Sequence, residues 1–309
     1  MINNVQNIIL FQKLRVKLRV KLRVKLRVVF CSFCRFLDFQ LRVIIHFMKI
    51  LRILIINFFV CSAVFGDIKY QSLPKDVVSG NKYYRIPDGS PFKEHGIQIV
   101  DKKDGYPVRA GEKSIRFELR SGDCGKYKPP GRDDCKHYAE RHEFHGKDFS
   151  KGNYWYAWSI YFPKDYKIAD PNRTIIVQIK NRKKFGESQV PPWYFTNFNN
   201  GYGIVNTVRV PGGHATQLLT KEQILGQWND ILLNAKWTNK ENGFLKVWVN
   251  NKLTYEYTGP TKRDDNMYFK FGIYRFSVFK EMPTQVIYFD EVRIGKTKEK
   301  VVGKLPPLN

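Results

Sequence analysis

The feature that most limits the fold of this chain is a series of short segments in which apolar and polar residues alternate. These segments cover residues 114–120, 154–162, 174–180, 228–237, 244–249, 267–276 and 285–294, and turn-forming residues separate them. A period of two is typical of strands with one buried face, and helical periodicity is almost absent. Aromatic residues make up 15% of the sequence and suit the space between two packed sheets. The pattern predicts an all-β sandwich or jelly roll.

Three connections between these segments have a recognisable character. Asn250-Asn251 lies between two alternating segments and predicts a tight hairpin, and the ENG triplet at residues 241–243 predicts another turn. Residues 191–203 are aromatic and glycine-rich, and we expect them to form a long loop. Long loops over a sheet face often carry function.

The first 66 residues differ from the rest of the chain. Residues 13–28 repeat KLRV four times, which gives no turn signal and no means of closing a core. We interpret residues 1–47 as a basic leader, either a translated upstream stretch or a basic arm for membranes or nucleic acid. Residues 48–66 have the layout of a secretory signal peptide, with cations, an apolar run and small residues in that order. Residues 67–309 remain as one domain.

The signal-peptide pattern predicts a protein exported to the extracellular space or a periplasm. Its apolar run is shorter than the ~20 residues of a membrane span, and no later segment comes close. Cys124 and Cys135 are the two cysteines of residues 67–309, and in an exported protein we expect them to form a disulfide. Too few other ligands flank them for a zinc site, so we predict no metal site.

The charge predicts a polyanionic partner. The first 66 residues hold 12 of the 53 Lys and Arg residues and one of the 28 Asp and Glu residues, which leaves a net charge of +14 for residues 67–309. Such an excess favours anionic ligands. The predicted export and the lack of a recognised nucleic-acid module argue against nucleic acid as that partner.

Two segments repeat the pattern Arg-x-Glu. In RFELR, residues 116–120, the apolar residues face the core while Arg116, Glu118 and Arg120 share the other face. In ERHEF, residues 140–144, the alternation places Arg141 and Glu143 on one face, with His145 following on the same side. Adjacent strands of this kind would form a ladder of opposite charges. Either segment fits a plain solvated surface or the floor of a groove.

Two further segments place polar groups on strands that are otherwise apolar. In IIVQIK, residues 175–180, Gln178 and Lys180 share a face, and buried polar groups need partners or a ligand. In YFKFGIYR, residues 268–275, the alternation puts Tyr268, Lys270 and Tyr274 in one row, and we interpret Gly272 as opening room beside Tyr274. A phenol and an ammonium beside such a gap suit a sugar ring.

These segments together resemble the motifs R-x-E-L-R, Q-I-H and Y-F-K-x-G-x-Y of the alginate-lyase family. From residues 85–87 through GNYWYAWSIYFP (152–163), KFGIYR (270–275) and FDEVRIG (289–295), the chain is more similar to heparin-lyase-like and glucuronan-lyase-like polysaccharide lyases. The resemblance covers nearly all of residues 67–309. It implies a concanavalin-like β-jelly-roll of two antiparallel sheets, and an enzyme that cleaves a uronate polymer or glycosaminoglycan by β-elimination.

The resemblance also implies roles for individual residues. In the family, Gln and Arg neutralise the uronate carboxylate, a histidine assists proton removal, and a tyrosine acts as acid and sometimes as base. Lys180 stands where the Q-I-H histidine would be, so an upstream histidine is the other candidate; family relatives point to His142, whereas strict alternation favours His145. The expected catalytic residues are Tyr274, Gln178, Lys180, Arg141 and His142, and the expected substrate-binding residues are Arg116, Glu118, Arg120, His145, Tyr268 and Lys270. Cations near Tyr274, with Lys270 and Arg275 as candidates, would favour its phenolate.

Two other functions remain open at this point. A glycoside hydrolase on the same fold would need two carboxylates flanking the scissile bond, and its usual E-x-D-x-x-E arrangement is missing. A lectin-like protein would have kept the groove and lost the base. We expect a monomer that requires no cofactor, with a structural Ca²⁺ at Asp290 and Glu291 as the alternative, since Ca²⁺ favours oxygen ligands.

Overall fold

A computed structural model describes residues 68–71, 84–85, 93–125, 133–149, 151–169, 174–182, 190–198, 201–210, 212–263 and 266–302. The chain divides into two compact units, Met1–Gly66 and Asp67–Asn309. The predicted leader and signal peptide, residues 1–66, lie outside the described residues, so both remain predictions. Residues 67–309 are described below.

One sheet has eight antiparallel strands. Its order is β13-β12-β11-β6-β15-β4-β3, and β1 also pairs with β15. The strands are β1 (Ile68–Gln71), β3 (Ile97–Asp101), β4 (Lys113–Leu119), β6 (Gly152–Tyr161), β11 (Trp228–Trp237), β12 (Phe244–Val249), β13 (Lys252–Thr258) and β15 (Gln285–Gly295).

The second sheet has seven antiparallel strands in the order β10-β9-β8-β7-β14-β5-β2. They are β2 (Tyr84–Arg85), β5 (Ala139–Phe149), β7 (Thr174–Asn181), β8 (Trp193–Phe198), β9 (Gly201–Asn206), β10 (His214–Thr220) and β14 (Met267–Phe276). Two antiparallel sheets confirm the predicted jelly-roll sandwich, and each alternating segment of the sequence coincides with a strand to within about two residues.

Helices are short in the described part of the chain. A 3₁₀ turn covers Lys102–Asp104, α1 covers Lys221–Ile224 and α2 covers Lys298–Val302. Thr220 and Gln223 form a capping box at the start of α1, which satisfies backbone N–H groups there. Among the described residues, no helix has the length and apolar character needed to cross a membrane.

An aromatic core joins the two sheets. Phe117 of β4 packs edge-to-face against Phe144 of β5, Phe271 of β14 and Phe289 of β15, with ring centroids 5.6–5.8 Å apart. All four rings are buried. Edge-to-face pairs of this kind contribute about 0.5–1.5 kcal/mol each beyond the burial of their area. The core therefore fixes β5 and β14 against the eight-stranded sheet.

The connections differ in one case from the sequence prediction. Asn250 and Asn251 both have left-handed backbone angles (φ 49° and 67°) and form the predicted hairpin between β12 and β13. Residues 191–203 are not a long loop, because they hold β8 and the start of β9, paired from Trp193↔Asn206 to Phe198↔Gly201. The aromatic residues there alternate across the sheet, which is a strand pattern.

Candidate active site

Three neighbouring strands in the middle of the seven-stranded sheet, β5, β14 and β7, share a row of polar side chains. Their core-facing residues, such as Phe144, Phe271 and Ile179, are fully buried between the sheets. Alternation sends the intervening residues to the outer side. We call this outer set the polar face; it consists of Arg141, Glu143, His145, Gln178, Lys180, Tyr268, Lys270 and Tyr274.

Backbone pairing brings the polar face together across three strands. Lys270 lies opposite His145 on β5 and opposite Gln178 on β7. Tyr274 lies opposite Arg141, and Tyr268 opposite Lys180. The pairing therefore joins Gln178, Lys180, Arg141 and Tyr274, four of the five residues predicted to be catalytic.

Glu143 is the centre of the polar face. Its carboxylate accepts a hydrogen bond from Gln178 Nε2 at 2.5 Å and from Lys270 Nζ at 2.6 Å, and Arg141 Nη1 lies 3.4 Å away. Glu143, Lys270 and Gln178 are almost completely buried. A buried carboxylate with three donors holds those donors in a fixed arrangement.

Burial and charge act in opposite directions on this carboxylate. Burial alone would raise the pKa of Glu143, but the charges of Lys270 and Arg141 outweigh it, so the pKa is lowered and the group stays ionised. Burial lowers the pKa of Lys270, and Glu143 opposes that effect. The two groups therefore stabilise each other's charged form.

Arg141 links this centre to Tyr274. Its guanidinium lies over the Tyr274 ring, 4.2 Å from the centroid, and pairs with Asp134 through two bonds of 2.6 and 2.7 Å. A bidentate pair of this kind fixes the guanidinium plane. Arg141 is thus a cation in contact with the Tyr274 ring. Arg275, one of the cations expected there, is fully buried on the opposite side of β14 and pairs with Glu140.

The predicted disulfide between Cys124 and Cys135 is present, with Cα atoms 5.1 Å apart. Asp134 directly precedes Cys135, and its backbone N–H donates to the Gly125 carbonyl at 2.8 Å. The disulfide-closed loop therefore supplies the carboxylate that orients Arg141.

Gly272 has a different role from the one expected. Its φ of 137° is strained for a residue with a side chain, and a Cβ atom there would lie 2.3 Å from the His142 carbonyl and 2.9 Å from the Phe117 ring. The glycine therefore lets β14 approach β5 and the core closely. It does not open space beside Tyr274 on the polar face.

The two candidate histidines lie on opposite sides of β5. His145 is on the polar face, and its ring meets the Tyr268 ring edge-on with centroids 5.8 Å apart. His142 faces the interior, where its Nε2 lies 3.2 Å from Asp123 Oδ2. Burial lowers the pKa of His142 and Asp123 opposes that effect. The structure therefore brings His145, and not His142, to the polar face.

Arg116, Glu118 and Arg120 lie elsewhere. Arg116 and Glu118 share one face of β4, Arg120 directly follows the strand, and Glu118 bonds both arginines, but β4 pairs with β3 and β15 in the eight-stranded sheet. The expected ladder between β4 and β5 does not form, because these strands belong to different sheets. The Arg-x-Glu pattern beside Gln178 and Tyr274 is Arg141-x-Glu143, so Arg116, Glu118 and Arg120 do not line the polar face.

The Asp290 and Glu291 carboxylates already have protein donors. Asp290 accepts the backbone N–H groups of Arg109, Ala110 and Glu291, and Glu291 pairs with Arg293. Burial raises the pKa of Asp290 to about 7. Carboxylates that face N–H donors and a guanidinium do not fit the oxygen-rich shell that Ca²⁺ favours.

The sequence pattern did not predict two neighbours of the polar face, Asp134 and Arg182. Asp134 gave no pattern of its own, although its place beside Cys135 was a usable signal. Arg182 follows β7 and lies over the Tyr268 ring, 4.4 Å from the centroid. Neither residue belongs to an alternating segment, so periodicity could not find them.

Comparison with known proteins agrees with this architecture. The family model described as polysaccharide lyase matches residues 93–293. The endo-β-1,4-glucuronan lyase of the fungus Trichoderma reesei is similar in fold, with a TM-score of 0.53 and 17% identity over 71% of this chain and 97% of that one. A family 7 alginate lyase variant in complex with its substrate has a TM-score of 0.50 and 10% identity over 70% and 94%. No curated protein sequence matches significantly.

The two-sheet sandwich and the family model together define a carbohydrate-active jelly-roll protein. Because the family model spans most of the chain, the chain belongs to the polysaccharide lyase family. It is therefore a polysaccharide lyase, as the sequence resemblance predicted.

Proposed function

We propose that this enzyme cleaves a uronate-containing polysaccharide by β-elimination on the polar face. The observation that carries the proposal is the buried Glu143, which gathers the donors of Gln178, Lys270 and Arg141 beside Tyr274. The two structures named above are lyases of glucuronan and of alginate by their titles, and both polymers consist of uronates. These names support a uronate substrate for this chain.

The first requirement of the reaction is neutralisation of the uronate carboxylate. The proton on C5 is too weakly acidic to remove until the adjacent carboxylate accepts hydrogen bonds and meets positive charge. Gln178, Lys270 and Arg141 are preorganised donors, and preorganised donors act most strongly where negative charge develops. The half-buried Lys180 adds a cation at the edge of the polar face.

The second requirement is proton transfer. A base takes the C5 proton, the electron pair forms the C4=C5 double bond, the C4–O4 bond breaks, and the leaving O4 accepts a proton. We assign Tyr274 to this transfer, because its hydroxyl group can accept or give a proton and the Arg141 guanidinium over its ring links it to the donors around Glu143. His145 and Lys180 are the candidates on the polar face for the second proton-transfer group. No step requires a cofactor.

Hydrolysis fits the site less well. A glycosidase needs one carboxylate free to give a proton and another to act as base or nucleophile. On the polar face Glu143 is bonded by Gln178 and Lys270, and the adjacent Asp134 is bonded twice by Arg141. These carboxylates serve to hold donors.

We also propose that the protein acts outside the cell as a monomer. The signal-peptide pattern of residues 48–66 and the disulfide support export, since disulfides persist in oxidising compartments. Peptide mapping of the exported protein tests this part. Mature protein that starts near Asp67 supports it, and mature protein that retains the KLRV repeats overturns it.

The activity is tested with a panel of polymers: polyglucuronate, alginate, a glycosaminoglycan and a neutral β-glucan. Elimination gives an unsaturated uronate that absorbs in the ultraviolet, and new reducing ends appear in equal number. We expect both signals with at least one uronate polymer and neither with the neutral glucan. New reducing ends without absorbance would show hydrolysis, and binding without either signal would show a lectin.

A further inference from the structure

A cluster of His95, Asp123 and His142 lies on the side of β5 that faces away from the polar face. His95 Nε2 lies 2.9 Å and His142 Nε2 lies 3.2 Å from the same Asp123 oxygen, Oδ2. One ligand atom from each of the three residues lies within 4.8 Å of the ligand atoms of the other two. The three residues come from before β3, after β4 and from β5, so the fold brings them together from distant parts of the sequence.

The cluster is held firmly by its surroundings. Asp123 and His142 are almost completely buried. The Arg120 N–H donates to Asp123 Oδ2 at 2.8 Å, and the Arg141 N–H donates to the Asp123 carbonyl at 3.0 Å. The His142 ring lies directly against Gly96, where a Cβ atom would come within 2.4 Å of the ring. Only glycine at position 96 allows the ring to take this place.

The donor atoms have the identity and spacing of zinc ligands. Zinc binds imidazole nitrogen and carboxylate oxygen at 2.0–2.1 Å, so two ligands of a tetrahedral ion lie about 3.3 Å apart. The two separations from Asp123 Oδ2, 2.9 and 3.2 Å, are close to this value, and the ligand atoms of the two histidines lie within 4.8 Å of each other. The two imidazole rings meet edge-on with centroids 5.8 Å apart, and both present Nε2 to the centre.

The cluster also has an accessible side. The His95 side chain is 19% exposed, whereas those of Asp123 and His142 are 1% exposed. Lys93 Nζ lies 3.1 Å from the other Asp123 oxygen, Oδ1, and its side chain is 47% exposed. A flexible lysine at the surface can move into solvent when a divalent cation supplies the positive charge. An ion can therefore enter past His95 and keep a water molecule as fourth ligand.

We propose that His95, Asp123 and His142 bind one Zn²⁺ ion that fastens the start of β3, the turn after β4 and strand β5 to one another. Two imidazoles favour zinc over calcium or magnesium, which prefer oxygen ligands. The ion lies on the far side of β5 from the polar face and takes no part in elimination. The proposal is thus independent of the proposed function.

The test uses the full exported protein, dialysed against a chelator and then titrated with ZnCl₂ by calorimetry, with CaCl₂ in parallel. We expect one Zn²⁺ per chain, no heat from Ca²⁺ at the same concentrations, and a higher unfolding temperature with zinc. His95→Gln removes the partly exposed ligand with little disturbance of the core and should abolish stoichiometric binding, as should His142→Gln. The control His214→Gln changes an exposed histidine on β10 and should bind zinc like the parent.

Three outcomes would overturn the site. They are a parent protein that binds no zinc, a His95→Gln variant that binds zinc like the parent, and a site that prefers calcium. If His142→Gln fails to fold, His95→Gln still decides the question. Because zinc content and unfolding temperature need no substrate, failure here is distinguishable from failure of the lyase proposal.

Discussion

Replacing Glu143 by glutamine removes the negative charge that contacts the buried ammonium of Lys270. The chain offers a matched control in Glu256, which pairs with Lys246 across β12 and β13. The distance from Nζ to the carboxylate oxygen is 2.6 Å in both pairs. The two pairs differ strongly in burial: the side chains of Lys270 and Glu143 are 4% and 1% exposed, and those of Lys246 and Glu256 are 35% and 48% exposed.

The difference in burial sets the expected magnitudes. Removing one partner of a buried pair leaves an uncompensated charge and costs about 3–5 kcal/mol. Because glutamine retains an oxygen that can accept from Gln178, we expect Glu143→Gln to lower the free energy of unfolding by about 3 kcal/mol. For a domain of this size that is about 6–12 °C in Tm. Glu256→Gln should cost less than about 1 kcal/mol.

The pH dependence gives a second test of the same reasoning. Burial lowers the pKa of Lys270, and without the opposing charge of Glu143 it falls further. Between that lowered pKa and the usual lysine value of about 10.4, Lys270 is neutral in the folded variant and protonated in the unfolded chain. The folded variant therefore holds fewer protons in this pH range. Stability rises with pH wherever the unfolded state binds more protons, so the deficit of Glu143→Gln should shrink as the pH rises.

Urea unfolding of the parent and both variants at several pH values measures these differences. Equal losses for Glu143→Gln and Glu256→Gln would refute the view that burial makes the Glu143 pair important. A deficit that grows with pH would refute the assignment of the uncompensated charge to Lys270.

Three further predictions concern the loop, the arginines and the charge. Replacing Cys124 and Cys135 by serine should cost about 3 kcal/mol for a loop of this size and should reduce turnover by loosening Asp134; two free thiols in the unreduced, denatured parent would contradict the disulfide. Arg141→Gln should lose most elimination activity while Arg116→Gln keeps it, and the reverse result in a steady-state assay would place the site on the other sheet. Binding of an acidic polymer, followed by calorimetry, should weaken steeply with salt because screening shortens to ~8 Å at physiological ionic strength; equal affinity for a neutral glucan would remove the electrostatic argument.

The strands could be predicted from the sequence because alternation and turn residues are local signals. Residues 267–276 show this most clearly: Phe269, Phe271 and Ile273 are fully buried in the core, as their spacing predicted. The disulfide followed from the predicted export of a chain with two cysteines in its mature part. The strands are predicted from the pattern of a few neighbouring residues. The disulfide is predicted from the expected pairing of two cysteines in an exported protein.

The position of each strand in the sandwich could not be predicted in this way. RFELR and ERHEF have the same alternation and the same Arg-x-Glu pattern, yet β4 lies in the eight-stranded sheet and β5 in the seven-stranded one. Sheet membership depends on pairing between segments far apart in the sequence, which alternation does not encode. The same limit applied to Asp134, whose role comes from its bond to Arg141.

Alternation and the family resemblance favoured different histidines. Relatives pointed to His142, whereas the period of two favoured His145 for the face shared with Arg141. The structure places His145 on the polar face and His142 in the interior with Asp123. Alternation thus predicted which histidine shares a face with Arg141, and which of the two takes part in elimination stays a prediction.

The central claim, that elimination takes place on the polar face, is tested most directly by the turnover of Tyr274→Phe. This change keeps the ring under Arg141 and removes only the hydroxyl group, so folding and polymer binding should persist. With the polymer that the parent cleaves, formation of the ultraviolet-absorbing product should fall by about 10²–10⁴-fold, the usual effect of losing a general acid or base. Tyr161→Phe, on β6 of the other sheet, should retain the parent rate. Near-full activity of Tyr274→Phe would contradict the claim.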